Sequence, residues 1–292
     1  MSADASKAGK DSRVAEYWGL LRGNRLALIG LGLLIFFALI AVFAPLIVPF
    51  DPDAFVARPF ERPSSTHLLG TNDVGQDIFS ELLVGARVSL SIGLLAAVVS
   101  IVLGCLVGLV AGYFGGRIDA ALMRLVDMVL VIPFLPLMIL LAAYLGPSFW
   151  NLILVIGLLT WAQPARIIRS QVLSLKTRGY VEAGKAIGTK VSRILRQHVL
   201  PGVIPLALSQ FVLAASQSIL IEASLSFLGL GDPVTKSWGT ILFYAQARGA
   251  FLTDAWMWWV VPPGILITLV VAGFAFSGLA LEEIADPKLR RR

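Results

Sequence analysis

The chain is poor in the side chains that most site chemistry uses: one cysteine and two histidines in 292 residues. Cys105 lies inside an apolar run, which excludes an intrachain disulfide and a thiolate metal cluster. His67 and His198 are far apart in sequence, and neither has a second ligand at metal spacing, so no metal site is expected. Charge is also scarce. Asp, Glu, Lys and Arg supply 14% of residues against roughly 25% in an ordinary soluble domain. Hydrophobic residues reach 57%, against roughly 45 to 50%. Such a balance excludes a soluble enzyme or binding module and implies a polytopic membrane protein. There is no low-complexity run and no internal repeat, which argues against a secondary transporter built on inverted repeats.

Six apolar runs are long enough for a hydrocarbon core that needs about 20 helical residues. They are Leu26 to Val48, Val88 to Tyr113, Ala120 to Leu145, Phe149 to Ala165, Val203 to Leu228 and Ala255 to Leu281. The third carries Pro133 and Pro136 and is read as one kinked span, since neighbouring helices in a bundle can satisfy freed carbonyls. The first is too long for the apolar region of a signal peptide and lacks a small-residue cleavage site, so it is read as a retained span. An all-α, polytopic membrane bundle of six helices follows. Its divisions are a tail at 1–25, the first span at 26–49, an external loop at 50–87, a five-span core at 88–281 and a tail at 282–292.

The net charge of +6 would suggest an anionic partner in a soluble chain. Here 19 of the 24 basic residues fall on one side if the N-terminus is inside, which predicts both termini in the cytoplasm and requires no nucleic acid. Eight of them lie in one cytoplasmic segment, 166–200: Arg166, Arg169, Lys176, Arg178, Lys185, Lys190, Arg193 and Arg196.

Apolar residues in that segment recur at three- and four-residue steps, Tyr180, Ala183 and Ile187, then Val191, Ile194, Leu195 and His198. The pattern predicts two short amphipathic helices. Gly188 can end the first with a positive φ, Thr189 can cap the second, and Pro201 suits the first turn of span five. A helix-turn-helix under the membrane results, with one face free to dock on a partner or to rest on anionic lipid of the bilayer. Gly179 to Lys185 fits G-x-x-x-x-G-K, but Ala186 stands where a phosphate loop needs Ser or Thr, and no strand precedes it.

These residues resemble a known family. Glu182-Ala183, Gly188, Ile194, His198 and Leu200-Pro201 look like the EAA loop of the permease subunits of binding-protein-dependent ABC importers, with Gly184 where alanine is usual. Further stretches narrow the resemblance to C-type permeases of dipeptide, oligopeptide and nickel importers. They include His67 to Thr71, Ala111 to Gly116 with Asp119, Glu222 to Gly231, Ser237-Trp238-Gly239 and Asp286 to Arg290, with departures at Asn72, Gln76 and Ala280 to Ile284.

The resemblance implies a type I ABC importer permease fold in a bacterial inner membrane. It implies a second homologous permease subunit, two cytoplasmic ATPase subunits that bind ATP and Mg²⁺, and a periplasmic solute-binding protein. No cofactor or catalytic residue is implied in this chain. The ATPase-coupling residues would be Tyr180, Glu182, Ala183, Gly184, Ile187, Gly188, Ile194, His198 and Pro201. Short peptides are the implied solute, and nickel, glutathione and other small solutes use the same subunit type. A stand-alone secondary transporter would need mid-membrane charge relays, which these spans lack.

Intramembrane polar residues are functional candidates by default. Glu222, Gln210 and Gln217 are read as lining the pathway, the alternative being that Glu222 is a structural acid satisfied by a neighbouring helix. Asp127 and Arg124, three apart, suggest a local ion pair. His67 is read as a turn residue, and Trp256, Trp258 and Trp259 as an interfacial aromatic belt.

Overall fold

A computed structural model describes residues 24–285; the N-terminal tail to Gly23 and the segment Asp286 to Arg290 lie outside the described residues. Twelve α-helices are described: α1 (Arg25–Ile47), α2 (Ile78–Phe114), α3 (Gly116–Val131), α4 (Phe134–Leu145), α5 (Phe149–Thr160), α6 (Ala162–Leu175), α7 (Gly179–Ala186), α8 (Val191–Ile194), α9 (Leu200–Leu225), α10 (Trp238–Ala247), α11 (Trp256–Trp259) and α12 (Val261–Ala285). Four stretches are long and apolar enough to cross a membrane, and two bent pairs, α3 with α4 and α5 with α6, bring the total to six.

The central element is α2, flanked by α1, α5, α6 and α9. Its 37 residues span about 56 Å at 1.5 Å each, well beyond a hydrocarbon core of about 30 Å. The helix therefore starts ten residues before the expected Val88 and takes the end of the external loop with it; no separate helix begins near Gly75. Asp77 caps it by accepting from the Ser80 amide at 2.8 Å, and Ile78, Leu82, Leu83 and Ala86 extend its buried face. Against α6 the contact is made by a row of small residues. A Cβ on Gly108 would lie 2.7 Å from the Ala165 carbonyl oxygen, and one on Gly112 would lie 2.7 Å from Val172 Cβ, so the two backbones meet where only glycine fits.

Two spans break, the third, which was expected as one kinked helix, and the fourth, for which no bend was expected. Between α3 and α4 the axis turns by 86°, with Ile132 extended before Pro133. Proline clashes with an α conformation in the residue before it, so the kink becomes a full interruption. Pro136 sits in the first turn of α4 and is accommodated there. The fourth span bends by 44° near Trp161 and continues as α6 to Leu175, so the first ten residues of the supposed cytoplasmic loop are helix packed on α2.

The segment between α1 and α2 is built rather than loose. Lys236 holds it together, its Nζ reaching Gln76 Oε1 at 2.9 Å, Glu81 Oε1 at 2.8 Å and the Pro52 carbonyl. Asn72 donates to the same Glu81 oxygen at 2.9 Å and to Gln76 at 2.9 Å, so the two departures from the family pattern serve one network. His67, expected as a turn residue, is buried with Nδ1 2.9 Å from Asp77 Oδ1. The second external segment contains α10, opened by a capping box between Ser237 and Thr240. The aromatic-belt reading is corrected: Trp258 and Trp259 are 9% and 1% exposed, inside the main core, and only Trp256 stays at the surface.

Candidate functional site

The motif between Tyr180 and His198 folds into a fastened bracket. Helix α7 ends in a Schellman closure, with the Gly188 amide donating to the Lys185 carbonyl at 3.0 Å and the Thr189 amide to that of Gly184 at 3.0 Å. Gly188 carries the left-handed φ of 74° that this closure requires. Thr189 does not cap the next helix; Lys190 occupies that position and makes no side-chain cap. Nor does α8 end before span five. It passes through a π-helical turn, Leu195–Val199, directly into α9, with Pro201 in the first turn of α9 where its missing amide costs least. The pair is thus one free helix, α7, clamped on the inward extension of a membrane helix.

The clamp is apolar. Val181, Ile194, Val199 and Val203 are completely buried or nearly so, and join Ile168, Val172 and Leu175 of α6 in one cluster. Two further contacts tie α7 down: Tyr180 and His198 bring ring centroids within 5.8 Å, and Lys185 Nζ lies 5.4 Å from the centre of the Tyr113 ring at the end of α2. With that side occupied, the predicted stripe of Tyr180, Ala183 and Ile187 faces outward together with Glu182. Ile187 is 82% exposed and Tyr180 46%, and the neighbouring bases Arg178, Lys190, Arg193 and Arg196 are exposed as well. Gly184 and Ile194 face inward instead, so these two of the expected coupling residues pack within the bracket.

The intramembrane candidates separate. Glu222 is 0% exposed and accepts from Ser226 Oγ at 2.8 Å. Gln210 is buried, whereas Gln217 lies on the exposed side of α9, so the three do not share one surface of this chain. The expected Arg124–Asp127 pair is replaced by a longer-range one: Asp127 Oδ1 accepts from Arg166 Nη2 at 2.6 Å. A second such pair was missed in sequence, Asp119 with Arg169 on the same two helices. Its only local signal was an isolated acid three residues after Gly116, in the first turn of α3.

Residues 100–291 match the family described as binding-protein-dependent transport system inner membrane component. Residues 12–68 match the N-terminal transmembrane domain of oligopeptide transport permease C. Among curated proteins, the chain is 35% identical to the dipeptide transport system permease protein DppC of Bacillus subtilis (strain 168), over 99% of this chain and 90% of that one. It is 35% identical to the oligopeptide transport system permease protein OppC of the same organism, over 99% and 95%. The di/tripeptide transport system permease protein DppC of Pseudomonas aeruginosa (strain UCBPP-PA14) is 37% identical, over 96% and 93%. With a helical bundle of up to six spans, a clamped motif helix and relatives that match nearly the whole chain, the chain belongs to the inner membrane component family of binding-protein-dependent transport systems, as a multi-pass permease subunit.

Proposed function

We propose that this permease subunit forms half of an inner-membrane pathway for short peptides, the other half being a second homologous permease. Two cytoplasmic ATPase subunits drive it and a periplasmic binding protein delivers the solute. Both termini lie in the cytoplasm. The observation that carries the reading is the orientation of α7: its motif face, Glu182, Ala183 and Ile187, points away from the bundle, while its other side is locked to α6 and α9. A helix held that way transmits a push as a rigid body instead of absorbing it.

ATP chemistry belongs to the partner subunits. In this chain Gly179 to Lys185, the one stretch resembling a phosphate loop, is the body of α7, with its backbone amides committed to helix and no strand before it. Peptides as the solute rest on the names of full-length relatives, three of which are dipeptide, oligopeptide and di/tripeptide permeases. The test is to purify the assembled complex with its binding protein, identify the trapped solute by mass spectrometry and measure its ATP-dependent uptake into proteoliposomes. Short peptides should be recovered and transported; a nickel chelate or an ATP-independent flux would overturn the reading.

A further inference from the structure

The motif Ala111 to Gly116 with Asp119 lies outside the α7–α8 bracket, and the structure gives its glycines and its acid distinct jobs. Gly112 admits α6, and its carbonyl accepts from Lys176 Nζ at 2.8 Å. Gly115 and Gly116, with φ of 67° and 55°, turn the chain back within a single residue between α2 and α3. Asp119 then meets Arg169 of α6 in a two-point contact, Oδ1 to Nε at 2.5 Å and Oδ2 to Nη2 at 2.6 Å, both side chains largely shielded at 16% and 29% exposure. Higher up the same pair of helices, Asp127 meets Arg166.

These ion pairs matter because apolar burial on α3 is sparse, confined to Val126 with Met123 and Val129 packed near Leu103 and Val107 of α2. Of its 16 residues only Val126 is buried, against Trp161, Ala162 and Ala165 around the start of α6. Beyond the 86° break, α4 belongs to a different group, with Met138 buried among Leu152, Ile153 and Ile156 of α5. The broken span therefore has one half packed on α2 and α6 and the other in the cluster around α5. Helix α6 in turn leads directly to α7 and shares its apolar cluster.

We propose that Asp119–Arg169 and Asp127–Arg166 are positioning pairs that make α3 move with α6, so that displacement of the docked α7 is delivered to the α3–α4 break at Ile132–Pro133. The break is where a rigid movement on the cytoplasmic side becomes a change of angle within the membrane. This inference rests on the coupling role of α7 given above.

The experiment uses the reconstituted complex carrying Cys105→Ser and spin labels at exposed positions. One label pair, Met128 with Ser170, reports α3 against α6; another, Met128 with Leu140, reports α3 against α4. Between the nucleotide-free and ATP-trapped states the first distance should stay constant and the second should change. In Arg166→Gln/Arg169→Gln the first distance should vary with nucleotide, and uptake per ATP should fall by about threefold to thirtyfold, the range over which mutations along such paths alter coupling. Exchanging the charges, Asp119→Arg with Arg169→Asp, should restore most of it, which a purely structural loss of packing would not. A first distance that changes in the wild-type complex overturns the proposal even if the variants fail to assemble, and so does full uptake per ATP in the double variant. Glu182→Lys separates the two levels: if it leaves coupling intact, the α7 reading itself fails; if it uncouples while the label distances go the other way, only the role of the ion pairs falls.

Discussion

Ile194 lies across the position where a side chain on Gly184 would sit: a Cβ there would be 3.8 Å from Ile194 Cγ1, ordinary van der Waals contact. The glycine at this point of the motif is therefore not demanded by space, and nothing in its backbone demands it either. Gly184→Ala should stabilise α7 by about 1 kcal/mol, the difference in helix propensity. Hydrogen exchange of the α7 amides in the assembled complex should slow accordingly, with uptake retained. Faster exchange would mean that the clamp against Ile194 is tighter than the structure shows.

Gly108 is the opposite case. Its missing Cβ would meet the Ala165 carbonyl oxygen at 2.7 Å and the Arg169 amide nitrogen at 3.0 Å, both backbone atoms that cannot rotate away. Gly108→Ala should force α2 and α6 apart at a cost of about 1 to 3 kcal/mol, as overpacking does elsewhere. Thermal unfolding in detergent is the check, with Gly116→Ala unsuitable as a control because its φ of 55° is itself strained. Gly32, inside α1 with open space around its missing Cβ, supplies the control and should lose no stability as alanine.

These two glycines show what could and could not be read from the chain in advance. All six apolar runs are membrane helices or bent pairs of them, because about 20 consecutive apolar residues have few alternatives to a span. The helical pattern around Tyr180 and Ile187 was equally visible, since a stripe at three- and four-residue steps is a local property. What was hidden depends on partners distant in sequence. Asp127 chose Arg166, 39 residues away, over Arg124, three away. Trp258 and Trp259 turned inward, Trp259 packing edge-on to Phe60 at 6.0 Å, 199 residues earlier in the chain. The start of α2 was hidden by its polar residues: Glu81 looks external until Lys236, 155 positions on, neutralises it.

Asp77 joins two roles, capping α2 through Ser80 and holding buried His67. Asp77→Ala should remove both and cost about 0.5 to 2 kcal/mol from the cap alone. Asp77→Asn should keep most of the cap. The ordering, alanine below asparagine below wild type, is measurable as the melting temperature and as protease sensitivity of segment 50–77; equal sensitivity in all three would show that the cap is redundant.

Glu222 is sealed inside the chain and accepts from Ser226 next to the point where α10 crowds α9. Glu222→Gln preserves an acceptor for that hydroxyl and should leave assembly close to wild type. Glu222→Ala strands Ser226 Oγ and should destabilise by about 1 to 3 kcal/mol. Yield of assembled complex by gel filtration distinguishes them. A loss of uptake in Glu222→Gln with normal assembly would instead put this carboxylate on the solute pathway.

The most direct test concerns α7 itself. In proteoliposomes holding the complete complex, peptide uptake and ATP hydrolysis are measured together for the wild type and for Glu182→Lys, a change on the outward face that leaves the Val181–Ile194 clamp untouched. The account predicts an intact, assembled variant in which uptake per ATP collapses; wild-type uptake per ATP in Glu182→Lys would contradict it.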